Sequence, residues 1–201
     1  SSNMARIDYG DGQRVRNRIF WFEKNWTEIA EGRMGPNLLP YKLVTYRLGE
    51  EHPDERAITL PMLAHGRAGL RAETTIDGTV IPVIFTFDRS ETMVTASTGA
   101  LLASVYGGSM AGAARDTKLE MGFDRPVREM EFDTPVTIGE LLLRDVVIRT
   151  TETGSTADIP DEDQDPNEIV VSAKGKQRPV HGIFIGTASF ADCSSLSFDK
   201  E

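Results

Sequence analysis

The sequence predicts a mainly β fold, a barrel or sandwich of short strands with one short helix, behind an N-terminal extension that carries an amphipathic helix. Three observations lead there. From Ala57 onward, short runs rich in Val, Ile, Thr and Phe are divided by Gly, Pro and Asp at regular intervals. Asp77-Gly78 stands between two such runs and is a strong hairpin signal. Ahead of them, Ile19, Phe22, Trp26, Ile29 and Ala30 recur at helical spacing, with Asn17 to cap the start and Gly32 to end the helix.

Element by element, the helix is expected over 17–31, closed off by Gly35-Pro36 and Leu39-Pro40. Its aromatic face serves either as packing on the β domain or as a partner contact. Tyr41 to Leu48 reads as a strand and Gly49 to Arg56 as a loop. Strands are then expected at Ile58 to Leu63, Gly69 to Ile76, Ile81 to Phe87 and Thr92 to Ala96. Ala100 to Tyr106 forms the short helix, and Gly107 to Ala114 a small-residue loop. Later strands fall at Val127 to Phe132, Val136 to Ile138, Glu140 to Thr150, Ile169 to Ala173 and Val180 to Ile185. The organisation is therefore an extension over 1–56 and a β domain over 57–201.

With 201 residues the chain can bury one good core. Its net charge of -9 repels phosphate backbones, and no basic stripe offsets it, so nucleic acid is not an expected partner. No apolar run is long enough to span a bilayer, and no signal-peptide pattern opens the sequence. The expectation is a soluble protein, cytoplasmic or exported after loss of a signal peptide. Cys193 is the single cysteine, which excludes an internal disulfide, and its small polar neighbours point to an inert thiol. His52, His65 and His181 lack ligand spacing, so no metal and no cofactor are expected. The stretch 151–168 holds seven carboxylates and no basic residue and reads as a solvated acidic loop. Asp161, Asp163 and Asp165 alternate as at the start of a calcium loop, but Pro166 and Ser172 stand where that loop needs Gly and Glu.

Three stretches, in order, carry a resemblance. Thr75-Ile76-Asp77-Gly78 leads after a short gap into Pro82-Val83-Ile84-Phe85-Thr86-Phe87-Asp88. Val136 to Ile148 (VTIGELLLRDVVI) follows as a later hairpin. His181 to Phe190 (HGIFIGTASF) supplies two apolar residues, a glycine and a short helix. Together they resemble the retropepsin-like aspartic protease family over about residues 58 to 199. The resemblance implies a closed retropepsin-like (acid-protease) β-barrel, a homodimer, and a catalytic Asp88 from each subunit. Two carboxylates must sit close enough to share a proton for that chemistry.

The family's Asp-Thr/Ser-Gly triplet is incomplete here. Aligned on Pro82 to Phe87, it becomes Asp88-Arg89-Ser90. Arg89 cannot replace a small hydroxyl that locks two loops together, and Ser90 lacks glycine's freedom. Two arginines buried at a dimer axis are costly without partners. A second frame, Ser97-Thr98-Gly99, supplies the hydroxyl and the glycine but puts Ser97 where the acid belongs. Asp88 thus has two readings, a turn aspartate paired with Arg89 or capping amides, and half of a dyad. Gly107, Gly108 and Gly112, or Met121 to Arg128, are candidates for a flap over a peptide groove.

The implied function is a catalytically weakened or inactive family member that binds an extended polypeptide by strand addition, or acts as a dimeric structural module. The alternative is an active homodimeric aspartic endopeptidase. A third reading rests on Arg14 and Arg18 with Asp88-Arg89-Ser90, which resembles the nucleotide-binding PilZ β-barrels. Met93 stands where that motif needs a glycine. Ser97 has no evident base for serine-hydrolase chemistry.

Overall fold

Asp77 and Gly78 both take positive φ, 45° and 73°. That is the backbone a two-residue hairpin turn requires when its twist matches the strands it joins. The computed structural model describes residues 2–8, 14–20, 36, 39–51, 56–63, 71–118, 124–150 and 179–200. The chain divides into two units.

Among the described residues the first unit holds four strands. β1 (Ser2–Asp8) pairs antiparallel with β2 (Arg14–Phe20). Residues 17–20, expected to open the amphipathic helix, are therefore strand; residues 21–31 of that expected helix lie outside the described residues. The reason is local, since Arg14, Arg16 and Arg18 alternate with Val15, Asn17 and Ile19, a period of two that suits a strand. β3 (Leu43–Arg47) pairs antiparallel with β14 (Ser195–Asp199), a C-terminal strand that sequence reasoning missed. Val44 and Phe198 are buried partners in this ribbon, and Tyr46 meets Phe198 edge-on at 6.0 Å. Lys200 Nζ donates to the carbonyls of Pro36 (3.0 Å) and Leu39 (2.6 Å) and ties off its end.

The second unit is built on an eight-stranded sheet. Its strands are β4 (Met62–Leu63), β5 (Arg71–Ile76), β6 (Thr79–Phe85), β7 (Thr92–Val94), β8 (Ser109–Lys118), β9 (Asp124–Glu131), β12 (Val146–Arg149) and β13 (Ile183–Ile185). The spatial order is β4-β5-β6-β13-β7-β12-β9-β8. A small hairpin, β10 (Thr137–Ile138) with β11 (Leu141–Leu142), lies outside it. Ile58 to Pro61, expected as strand, has no regular structure, and Asp145 at φ 49° breaks the expected Glu140 to Thr150 run in two. Gly107 to Ala114, expected as a loop, is strand from Ser109 on. β8 runs antiparallel to β9 and absorbs its small residues in a bulge between Ala111 and Arg115. Among the described residues the sheet does not close into a barrel, because β4 and β8 remain its two ends.

The middle of the sheet crosses over itself. β6 and β13 run parallel, β13 and β7 antiparallel, and β7 and β12 parallel. Of these, β7 and β12 are buried on both faces, every residue of Thr92–Val94 and Val146–Arg149 being covered. One face carries the main core of Val83, Val94, Ile148, Ile183 and Ile185, against which Leu102 and Ala103 of α1 (Ala96–Tyr106) pack. Thr95 caps that helix by accepting from Thr98 N at 3.4 Å. Gly99 lets it approach the sheet, since a Cβ there would collide with Ile148. The opposite face carries a smaller apolar set, Met93, Val127 and Val147, with Phe184 packed against it. Among the described residues, no helix is long and apolar enough to cross a membrane.

Leu102 is fully buried between helix and sheet. Leu102→Ala is expected to lower stability by about 2–5 kcal/mol, read as a lower urea midpoint.

Candidate functional site

β6 ends at Phe85, and residues 86–91 turn the chain before β7 begins at Thr92. This corner is held by backbone from the end of β13 and the segment after it. Thr86 N donates to Ile185 O at 2.9 Å, Thr187 N to Arg89 O at 3.0 Å, and Ala188 N to Ser90 O at 3.0 Å. Gly186 sits at the pinch, where a Cβ would strike the carbonyl oxygens of Ser90 and Glu91. A short 3-10 helix, Thr187–Phe190, follows at once. Behind the turn, Thr92 Oγ1 and Ser189 Oγ hydrogen-bond at 2.8 Å. Gly186 N donates to Thr92 Oγ1 and Arg144 N to Ser189 Oγ.

Asp88 stands at the outer bend. Its side chain is 15% exposed, while the residue as a whole is open to solvent through its backbone. Thr86 Oγ1 donates to Asp88 Oδ1, and Asp88 N approaches Thr86 Oγ1 at 3.4 Å. Arg89 turns back beneath the bend, its side chain only 7% exposed, with Nε 3.7 Å from Asp88 Oδ1. That separation allows Coulomb attraction but is too long for a hydrogen bond, and Arg89 Nε is buried without an acceptor. Arg89 Nη1 points at Met93 Sδ, 3.5 Å away. Ser90 is exposed, and Glu91 accepts a hydrogen bond from Arg115 Nη2 of β8.

Arg149, at the end of β12, reaches the same sulfur from the other side. Its Nε lies 2.7 Å from Met93 Sδ, and its guanidinium stacks 4.6 Å from the Phe184 ring centroid. Sequence reasoning did not single out Arg149 or Met93 as site residues. The only signal was their place on strands, Met93 within Thr92–Val94 and Arg149 at the end of Val146–Arg149, which does not mark a meeting point.

The remaining expected residues fall elsewhere. Ser97, Thr98 and Gly99 lie in the first turn of α1, so the second frame is helix and not a strand-end corner. Thr98 is buried there, with its Oγ1 accepting from Gly182 N at 3.0 Å and lying 3.4 Å from His181 Nδ1. Gly107 caps the end of α1, Gly108 leads into β8, and Gly112 lies in the β8 bulge, its carbonyl gripped by Arg128 Nε and Nη2. Arg125 to Arg128 is part of β9, while 121–123 lies outside the described residues. So do His52, His65 and the whole acidic stretch with Asp161, Asp163 and Asp165. Arg14, Arg16 and Arg18 are on β2, in the other unit from Asp88. Cys193 is half-buried and forms no disulfide, and no cluster of metal-ligating side chains occurs among the described residues.

The sequence matches no protein-family model, and comparison with curated proteins and with solved structures found no match.

Gly186→Ala is expected to cost about 3 kcal/mol, because the obstacle is backbone that cannot rotate away. Thermal unfolding checks it, with Gly49→Ala, where a Cβ meets nothing, as the control expected to stay near wild type.

Proposed function

We propose that the chain is a catalytically inactive homologue of the retropepsin-like aspartic peptidases, retaining the framework of the fold as a module that binds extended polypeptide. Several features support the fold reading. The strand that leads to Asp88 lies beside the apolar-apolar-Gly strand Ile183–Ile185, which lies beside the strand leaving the corner. The parallel β7–β12 pair continues the same crossed arrangement, and α1 follows the corner directly. This is the order of parts that the sequence resemblance implies, with Asp88 at the position of the catalytic acid.

One observation carries the inactive reading: Asp88 faces the guanidinium of its own neighbour. A shared-proton dyad needs two carboxyl groups opposed with no competing cation between them. Here Arg89 occupies the position of the small hydroxyl residue and sits 3.7 Å from Asp88 Oδ1. Its side chain turns inward to Met93 and so offers no hydroxyl to lock a symmetric loop. Polypeptide binding uses sheet geometry that survives these changes. Among the described residues the outer edge of β8 pairs with no further strand, and Gly112, Ala113 and Ala114 on it are exposed. An extended chain added there gains main-chain hydrogen bonds and asks little of side chains.

The test is cleavage of unfolded casein between pH 3 and 7, with and without pepstatin, alongside saturable binding of the same casein at neutral pH. The expected result is binding without cleavage, unchanged in Asp88→Asn. Pepstatin-sensitive cleavage that disappears in Asp88→Asn establishes the homodimeric endopeptidase instead. Absence of both binding and cleavage removes the polypeptide-binding role.

A further inference from the structure

We propose that β2 accepts an extended acidic polypeptide as a third strand, with carboxylates at every second residue opposite Arg14, Arg16 and Arg18. The proposal stands on backbone register and residue order in the first unit, and it is independent of Asp88 and of the β8 edge. Arg14, Arg16 and Arg18 occupy alternate positions of β2 and therefore share one face of the ribbon. The pairing with β1 places Asp8 opposite Arg14, Arg6 opposite Arg16 and Met4 opposite Arg18. Four arginines thus fall on one face of a two-stranded ribbon, with Asp8 the only carboxylate in either strand. The other face carries Ile7 opposite Val15, Ala5 opposite Asn17 and Asn3 opposite Ile19.

A ribbon of two strands is marginal in water, and like charges directly opposite each other weaken it further. β1 gives Arg16 a like charge and Arg18 a neutral residue, so it does not answer the row of charge that the two-residue repeat creates. Among the described residues β2 pairs with β1 alone, which leaves its second edge unpaired. A strand added at that edge repeats every two residues as β2 does, about 6.8 Å in each chain. Glu or Asp at every second position therefore meets the arginines one for one, and these opposite-charge pairs add to the main-chain bonds of the new ladder. The same row turns other strands away. A second copy of β2, laid antiparallel with its arginines on the same face, puts arginine opposite arginine, and a basic strand does the same. A nucleic-acid duplex meets the net charge of -9 on the whole chain, whereas a short peptide brings only a few carboxylates against it.

The test measures the fluorescence anisotropy of two labelled, end-blocked peptides of one composition with the full chain. One is Thr-Glu-Thr-Glu-Thr-Glu-Thr; the other, Glu-Thr-Thr-Glu-Thr-Thr-Glu, brings only one carboxylate at a time opposite the row. The alternating peptide is expected to bind about tenfold more tightly, with affinity falling as salt is raised. On binding, alternate amides of β2 are expected to gain protection from hydrogen exchange, which adsorption by charge alone does not produce. Arg16→Glu makes the pair with Arg6 one of opposite charge and so keeps the ribbon, and it is expected to weaken the alternating peptide about tenfold. Lys in place of the central Glu of that peptide is expected to restore binding to the variant and to weaken binding to the unaltered chain. Equal affinity for the two peptides, unchanged exchange in β2, or no restoration by the Lys peptide overturns the proposal. So does a DNA duplex that displaces the alternating peptide at lower concentration than the unlabelled peptide does, which assigns the arginine face to nucleic acid.

Discussion

The corner at 86–91 exists because β13 holds it. Three amide-to-carbonyl hydrogen bonds pin the bend from below, and Gly186 removes the one side chain that would keep the two segments apart. None of those bonds depends on what residues 88 to 90 carry as side chains. That independence is the physical reason the residue types at 88 to 90 can vary without loss of the turn, since the backbone is fixed from outside it. The buried Thr92–Ser189 hydroxyl pair adds a second brace, from side chains that serve the bend and not the solvent.

Charge is then distributed around this fixed bend in a way the net acidity of the chain conceals. Arg89, Arg128 and Arg149 are all covered, although the sequence carries nine more acidic than basic residues. Each is held differently. Arg128 gives two donors to one carbonyl in the β8 bulge, Arg149 lies over an aromatic face, and Arg89 is left with a nearby carboxylate and a sulfur. The last two meet at the Met93 sulfur, close to the corner.

Much of the β architecture was legible, and the failures have identifiable causes. Asp77-Gly78 was readable because positive φ at two successive positions selects those residue types. The helix after the corner was placed four residues late. Gly99 in its first turn looks like a breaker, yet it is there to let Ile148 pack. β8 was taken for a loop because Gly112, Ala113 and Ala114 have low strand propensity, which pairing with β9 overrides. Ile19, placed at the start of an amphipathic helix, belongs to a strand whose two-residue alternation was the better signal. At the site, the run Pro82 to Phe87 drew attention to Asp88, which stands at the bend. It was silent on Arg149, which is 61 residues further on in number and brought beside Met93 only through the β7–β12 pairing. It was silent too on the direction Arg89 turns.

The central claim is that backbone bonds from the segment after β13 fix the corner. Amide hydrogen exchange at Thr187 and Ala188 measures it most directly, since those two N–H groups donate to Arg89 and Ser90. The account predicts protection comparable to that of the Ile183 and Ile185 amides, lost only when the whole unit unfolds. Exchange at the rate of an open surface loop, with Ile183 and Ile185 still protected, would contradict it.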